Sequence, residues 1–224
     1  GAKFGMFKLC TASHTVLSAW GTRQSSLLLK AAGGCARRVL VLAVMREYSL
    51  ARVQLRRLIE CIVWYVYFFD HPVEWAHFQV APGRGWGNRD LDPIAAAAAA
   101  EISMFFRYAK ERFEADPSKL AKDAANRLHA EYGNLSAEVH AAVGAVHPSG
   151  SLALAFDPHD PPGVARFYDQ SRAVFSDAVL SVSALNPKIL NGLDAVDRAW
   201  FDWLVGKDAA KAVRGAPFGV QRNP

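Results

Sequence analysis

The sequence predicts an all-α protein, a helical bundle of about six to seven helices with two longer loops. Apolar residues recur at three- and four-residue spacings through most of the chain, which is typical of amphipathic helices. The chain has 224 residues, 51% of them hydrophobic, and so has enough material to bury a sizeable core. This composition excludes a disordered chain, a collagen-like chain and a disulfide scaffold.

The first two helices are predicted over residues 22–46 and 49–69, and no element is assigned before them. Ile62–Phe69, taken alone, is also typical of a buried strand. We prefer a helix because no turn signal separates this run from the helical pattern before it. Asp70-His-Pro72 should end the helix, since the residue before a proline disfavours the α conformation.

A loop rich in glycine follows at residues 81–90. Asp92-Pro93 then begins a helix, because the aspartate can act as N-cap and the proline suits the first turn. Asp116-Pro117 repeats the same start signal for the next helix. Gly133-Asn134 is expected to interrupt that helix before a further one begins.

The C-terminal part is predicted to be a second long loop followed by a helical pair. Prolines concentrate in residues 147–163, which indicates the loop. Helices over 163–185 and 188–205 close the bundle, and residues 207–224 are expected to be a loose tail. We therefore expect one helical domain over residues 1–206.

The net charge of +5 is unevenly distributed along the chain. Residues 1–59 contain ten Lys and Arg and one acid, a net charge of +9, whereas residues 114–202 carry −5. A basic segment attracts phosphate groups by long-range electrostatics, which indicates RNA or another polyanion as a partner. The alternative is a positive helical face that packs near a negative one within the same domain.

Cys10, Cys35 and Cys61 show no CxxC spacing, so we expect free thiols in a reducing compartment. His71 and His77 lack the spacing of paired metal ligands, and we predict neither a metal nor a cofactor. No apolar run reaches the roughly 20 residues of a membrane span, and no export signal is recognised. We therefore expect a soluble, cytoplasmic protein.

Polar side chains at two places lie in otherwise apolar surroundings. Glu60 precedes nine uncharged residues, and a buried carboxylate must be paired or protonated. Arg56 and Arg57, on the same helix face, can pair with it, either to order the bundle or to orient a polar site. Further along, Asn134 can cap a helix. His140 can act as a general acid or base near neutral pH, or serve as a structural histidine.

The loop around Gly83-Arg-Gly-Trp-Gly is a weaker candidate for nucleic-acid binding. Glycine amides can cradle phosphate, Trp86 can stack on a base, and Arg84 and Arg89 add positive charge. The loop does not follow a strand and has no P-loop lysine, so a flexible surface loop is the alternative.

The order of these features resembles a bacterial branch of the HEPN (higher eukaryote and prokaryote nucleotide-binding) superfamily. The resembling residues are Arg56-Arg57-Leu-Ile-Glu60, then His71-Pro72, then Tyr132-x-x-Leu-Ser-x-x-Val-His140, and the likeness covers residues 20–144. The resemblance implies an all-helical domain, often encoded near defence or toxin–antitoxin systems.

Active members of this superfamily are metal-independent ribonucleases in which two copies of an arginine–polar–histidine motif meet at a dimer interface. The resemblance assigns the polar residue to Asn134 and the histidine to His140. The arginine position is occupied by Gly133, so the charge that develops on the phosphate lacks its main stabiliser. Arg127, or the Arg56-Arg57 pair, would have to supply it.

Three functions therefore remain open. The first is a HEPN-like ribonuclease, a toxin or phage-defence effector that uses His140. The second is a catalytically inactive helical interaction or scaffold protein that forms a homodimer or binds a protein partner. The third is a nucleic-acid-binding protein that uses the basic segment and the loop from Arg84 to Arg89.

Overall fold

The computed structural model describes residues 2–19, 26–80, 102–114, 119–144 and 161–215. Within these ranges the chain forms nine α-helices and one 3-10 helix and no strand, so the all-α prediction is confirmed and its number of helices was too low. The helices are α1 (Ala2–Ala19), α2 (Ser26–Val44), α3 (Tyr48–Asp70), α4 (Pro72–Val80), α5 (Ile102–Arg112), α6 (Leu120–Gly144), α7 (Pro161–Leu185), the 3-10 helix (Pro187–Gly192), α8 (Ala195–Val205) and α9 (Lys207–Gly215).

Helix α3 is the central element of the bundle. It contacts α2, α4, α5, α6 and α7, and 14 of its 23 residues are buried. The run Ile62–Phe69 is helical, as preferred from the sequence, and it is apolar on most sides because neighbouring helices surround it. The helix ends at Asp70, but Pro72 starts α4, which the sequence analysis did not predict.

Helix α1 also has no counterpart in the sequence prediction. It packs against α2, α7 and α8 and buries Leu9, Val16 and Leu17 completely. Because three helices surround it, its apolar residues are not confined to one clear stripe. The helix is therefore part of the core rather than an appendage to it.

The expected interruption at Gly133-Asn134 is wrong, because α6 continues through both residues without a break. A glycine in a helix interior costs only about 1 kcal/mol. Leu128 and Leu135, on either side of the pair, are both buried in the hydrophobic core. Their burial offsets the cost and keeps the helix continuous.

The C-terminal pair is more divided than expected. Helix α7 confirms the prediction for residues 163–185, whereas the predicted helix over 188–205 is divided, and only its second part, α8, is an α-helix. Its first part is the 3-10 helix, and the Asp194 carboxylate then caps α8 by accepting a hydrogen bond from the Asp197 N–H at 2.8 Å. Residues 207–215, expected to be loose, form α9 and bury two apolar side chains.

Several predicted features lie outside the described residues. These are the loop at 81–90, the start signals Asp92-Pro93 and Asp116-Pro117, most of the loop at 147–163, and the last part of the tail, 216–224. Among the helices that are described, none has both the length and the apolar character required to cross a bilayer.

An ion pair joins α6 to α7. Asp177 is 4% exposed, and Arg127 donates hydrogen bonds from Nε and Nη2 to both of its carboxylate oxygens, over 2.7–3.2 Å. Burial raises the pKa of Asp177, and the hydrogen bonds from Arg127 oppose that rise. Arg127 is thus engaged with α7.

The substitution Arg127→Met should lower the free energy of unfolding by about 1 to 2 kcal/mol, because it leaves the Asp177 carboxylate buried without its partner. The difference in the free energy of unfolding between the wild type and this variant should narrow as the pH falls, because protonation of Asp177 removes the unpaired charge. Urea denaturation at several pH values measures both effects. Arg172→Met, at an exposed arginine of α7, is the control, and an unchanged midpoint for Arg127→Met would contradict the assignment.

Candidate functional site

The Glu60 carboxylate lies at the interface of α3 and α6 with its side chain 9% exposed. Arg57 Nη1 donates a hydrogen bond to Oε2 at 3.0 Å, and Arg56 Nε lies 3.4 Å from Oε1. The hydroxyl of Tyr132, on α6, donates to Oε1 at 3.2 Å. The two arginines pair with the carboxylate as the sequence spacing predicts, and we refer to Arg56, Arg57, Glu60 and Tyr132 as the Glu60 cluster.

Arg56 reaches from α3 to α6. Its Nη2 donates to the Tyr132 hydroxyl at 2.9 Å, and its guanidinium carbon lies 5.0 Å from the centre of the tyrosine ring. Although Arg56 Nε is within ion-pair distance of Glu60, it is buried and makes no hydrogen bond within the described part of the chain. A guanidinium group therefore lies against the residue that precedes Gly133.

The Glu60 cluster has a net positive charge, because two arginines share a single carboxylate. Arg57 is placed over the ring of Trp64, 5.1 Å from its centre. The side chains of Arg56 and Arg57 are 28% and 29% exposed. Both cations are thus fixed by neighbours and accessible to solvent, which is the arrangement that an anionic ligand requires.

A second polar network runs beside this cluster. Arg52 Nε donates to the Gln170 side-chain oxygen at 3.2 Å, and the Gln170 amide donates to Glu131. The Asn134 amide donates to the other Glu131 oxygen at 3.2 Å. Asn134 is therefore exposed in mid-helix and held by Glu131, and its predicted capping role is wrong.

His129 was not a candidate site residue in the sequence analysis, yet it lies on α6 one turn before Tyr132. Burial and the nearby Lys110 lower its pKa, so the imidazole is neutral at neutral pH. Lys110 Nζ lies 2.8 Å from Nδ1, which assigns the imidazole proton to Nε2. Phe106 stacks on this ring and also packs against Tyr132.

The proposed catalytic histidine, His140, lies in α6 eight residues after Tyr132, a rise of about 12 Å along the helix. Its side chain lies outside the described part of the structure, as do Arg84, Trp86 and Arg89 of the loop. The roles assigned to these four residues stay predictions.

Within the described residues, no group of three His, Cys, Asp or Glu side chains is placed to hold a metal ion. His71 follows the end of α3, where its ring stacks on Tyr67 with 4.1 Å between ring centres. Its Nδ1 lies 2.8 Å from the Tyr67 carbonyl oxygen. These contacts give His71 a structural role at the junction of α3 and α4.

No protein-family model, curated protein or solved structure matches this chain. The likeness to the HEPN superfamily therefore depends on the residues quoted above. Tyr132 is one of those residues, and its contact with Glu60 gives the motif a direct connection to the Arg56-Arg57 pair.

The substitution Tyr132→Phe should lower the free energy of unfolding by about 1 kcal/mol, because Glu60 loses a donor and Arg56 loses an acceptor. Urea denaturation measures the loss, with Tyr168→Phe, whose ring packs over Gly5, as the control. In a double-mutant cycle with Arg56→Met, the double variant should lose less free energy of unfolding than the two single variants lose in sum, by at least about 0.5 kcal/mol. Additive losses would contradict a direct Arg56–Tyr132 interaction.

Proposed function

We propose that this chain binds RNA and cleaves it at the Glu60 cluster, as a metal-independent endoribonuclease of the kind that the HEPN resemblance implies. One observation supports the proposal: Arg56 extends from α3 to Tyr132, the residue that precedes Gly133, and the family motif has its arginine at position 133. The cation comes from a different helix, but it contacts the same turn of α6.

The reaction in this proposal is attack by an RNA 2′-hydroxyl on the neighbouring phosphate. The O2′–P bond forms and the P–O5′ bond breaks, which leaves a 2′,3′-cyclic phosphate and a 5′-hydroxyl. Because His140 lies about 12 Å along α6 from Tyr132, it assists the proton transfer across the homodimer interface that the resemblance implies. Arg56 and Arg57 stabilise the charge that develops on the phosphate oxygens. Asn134 takes the place of the polar motif residue.

The Glu60 carboxylate contributes by orientation. It holds both guanidinium groups without neutralising them completely, since one negative charge faces two positive ones. Arginines keep their charge over the whole physiological pH range, so the Glu60 cluster stays positive in either protonation state of His140. A homodimer and a role as a toxin or phage-defence effector follow from the resemblance as part of the same proposal.

Position 133 offers a gain-of-function test. Gly133 is exposed, and among the described residues no atom lies within 4 Å of a Cβ added there, so a side chain can be introduced at this position. The substitution Gly133→Arg restores the motif arginine and should increase RNA cleavage at least tenfold, whereas Gly133→Ala, which adds helix propensity alone, should not. Cleavage of end-labelled RNA in EDTA, with detection of the cyclic phosphate, measures the effect.

His140→Ala and Arg56→Gln should each lower the rate of RNA cleavage by about 10²–10³-fold. Arg37→Gln, at an exposed arginine of α2, controls for a general loss of positive charge. Thermal unfolding of each variant separates loss of activity from loss of structure. Unchanged cleavage by His140→Ala, or no cleavage by both the wild type and Gly133→Arg, would rule out the ribonuclease.

A specific surface favours the second candidate, a helical interaction module. Five exposed apolar residues lie within residues 41–53, at the end of α2 and the start of α3, with 38–75% of each residue accessible. These residues are Val41, Val44, Met45, Leu50 and Val53. Contiguous exposed apolar residues mark protein contacts more often than isolated ones do.

If this surface joins two copies of the chain, sedimentation velocity should show a dimer that the double variant Met45→Ser/Leu50→Ser converts to a monomer. Val196→Ser, at an exposed apolar residue of α8, is the control and should leave the dimer intact. A wild-type protein that stays monomeric at about 100 μM, a concentration far above the dissociation constant of a stable dimer, would contradict self-association.

A further inference from the structure

An imidazole ring is stacked on the core at the surface where α5 meets α6. His129, on α6, is exposed, and its ring lies on that of Phe106 with 4.5 Å between ring centres and 21° between planes. Phe106, on α5, is fully buried and forms a fixed support beneath the imidazole. Because Phe106 covers one face of the His129 ring, the opposite face is the one that remains for a ligand.

A cation holds the edge of the same ring. Lys110, on α5 one turn after Phe106, places its Nζ 2.8 Å from His129 Nδ1. An ammonium group donates hydrogen bonds and accepts none, so Lys110 is the donor here and has two further N–H groups. The stacking contact and this hydrogen bond together fix the orientation of the imidazole. We refer to Phe106, Lys110 and His129 as the His129 platform.

The His129 platform is continuous with the Glu60 cluster. His129 precedes Tyr132 by three residues, a rise of about 4.5 Å along α6. Phe106 packs against Tyr132 as well, with 5.4 Å between ring centres. Arg56 lies against the same tyrosine ring, 5.0 Å from its centre. A row of aromatic rings thus runs from Lys110 at His129 to Arg56 at Tyr132, with a cation in contact at each of these two rings.

A supported ring between cations suits a single strand of nucleic acid. Unpaired bases stack on aromatic and histidine side chains, and nearby basic groups bind the phosphates that join them. Burial and Lys110 lower the pKa of His129, so its ring is neutral at neutral pH and the charge at this place is on Lys110. The ring is therefore suited to a base, and the lysine to a phosphate.

We propose that the His129 platform stacks one unpaired base of a single-stranded RNA and that Lys110 contacts a phosphate next to that base. The stack on Phe106 and the hydrogen bond from Lys110 support this assignment. The proposal rests on the proposed ribonuclease only for the identity of the strand, because stacking itself requires no cleavage. A base within a duplex is covered on both faces by its neighbours, so the platform selects unpaired RNA.

The experiment measures stacking on the full chain with RNA that it cannot cleave. The probes are short 2′-O-methyl oligonucleotides, which lack the attacking hydroxyl, with one fluorescent 2-aminopurine placed at each position in turn. Stacking on an aromatic ring quenches 2-aminopurine, so we expect quenching at one position of the bound strand. Fluorescence anisotropy of an end-labelled strand gives the affinity in parallel.

Two substitutions at His129 separate stacking from a structural role. His129→Ala should abolish the quenching and weaken binding of the strand by about tenfold, because the base loses its ring. His129→Phe keeps a ring with a π-face and should retain the quenching, with an affinity within about threefold of that of the wild type. Thermal unfolding of both variants checks that they are folded.

The phosphate contact of Lys110 is tested by the salt dependence of binding. Lys110→Gln should reduce the slope of log affinity against log salt concentration by about 0.7, the value for one phosphate contact on a single strand. Lys211→Gln, at an exposed lysine of α9, is the matched control and should leave the slope unchanged. An unchanged slope for Lys110→Gln would reject the phosphate contact.

Three results would overturn the platform. These are no quenching at any position with the wild type, undiminished quenching with His129→Ala, and equal losses with His129→Ala and His129→Phe. Unmodified RNA separates this proposal from the ribonuclease. Cleavage of that RNA without quenching of the probes would reject the platform alone, whereas quenching without cleavage would reject the ribonuclease alone.

Discussion

The burial of the Glu60 carboxylate is the constraint on which the arrangement of α3 and α6 depends. An ionised carboxylate in the core is strongly unfavourable unless donors surround it. Two of its partners, Arg56 and Arg57, come from its own helix, but the third, Tyr132, comes from α6. The tyrosine hydroxyl thus joins α6 to α3 at the residue that precedes Gly133 and Asn134.

Interactions between residues close in the sequence were predictable, and those between distant residues were not. The pairing of Glu60 with Arg56 and Arg57 follows from helical spacing alone. The contact between Tyr132 and Glu60 spans 72 residues, and that between Arg52 and Gln170 spans 118. No periodicity encodes such separations, because they depend on how whole helices pack.

The errors in the predicted fold have a common physical cause. Local signals were given more weight than tertiary burial, which determines whether a weak helical segment persists. Gly133 disfavours a helix locally, and residues 207–215 give no clear helical signal. Leu135, close to Gly133, and Val213, in the second region, are nevertheless buried in the core. The burial of those side chains stabilises helix where the sequence indicated a break or a loose tail.

The same residues carry both a structural and a functional interpretation, and their charge balance distinguishes the two. A purely structural ion pair needs one cation for the Glu60 carboxylate, whereas the cluster has two, each more than one quarter exposed. Both guanidinium groups also pack over aromatic rings, and the positive charge that Glu60 leaves unbalanced attracts an anion to this surface. The surplus at Arg56 and Arg57 therefore favours a site for an anionic ligand over a simple clamp between α3 and α6.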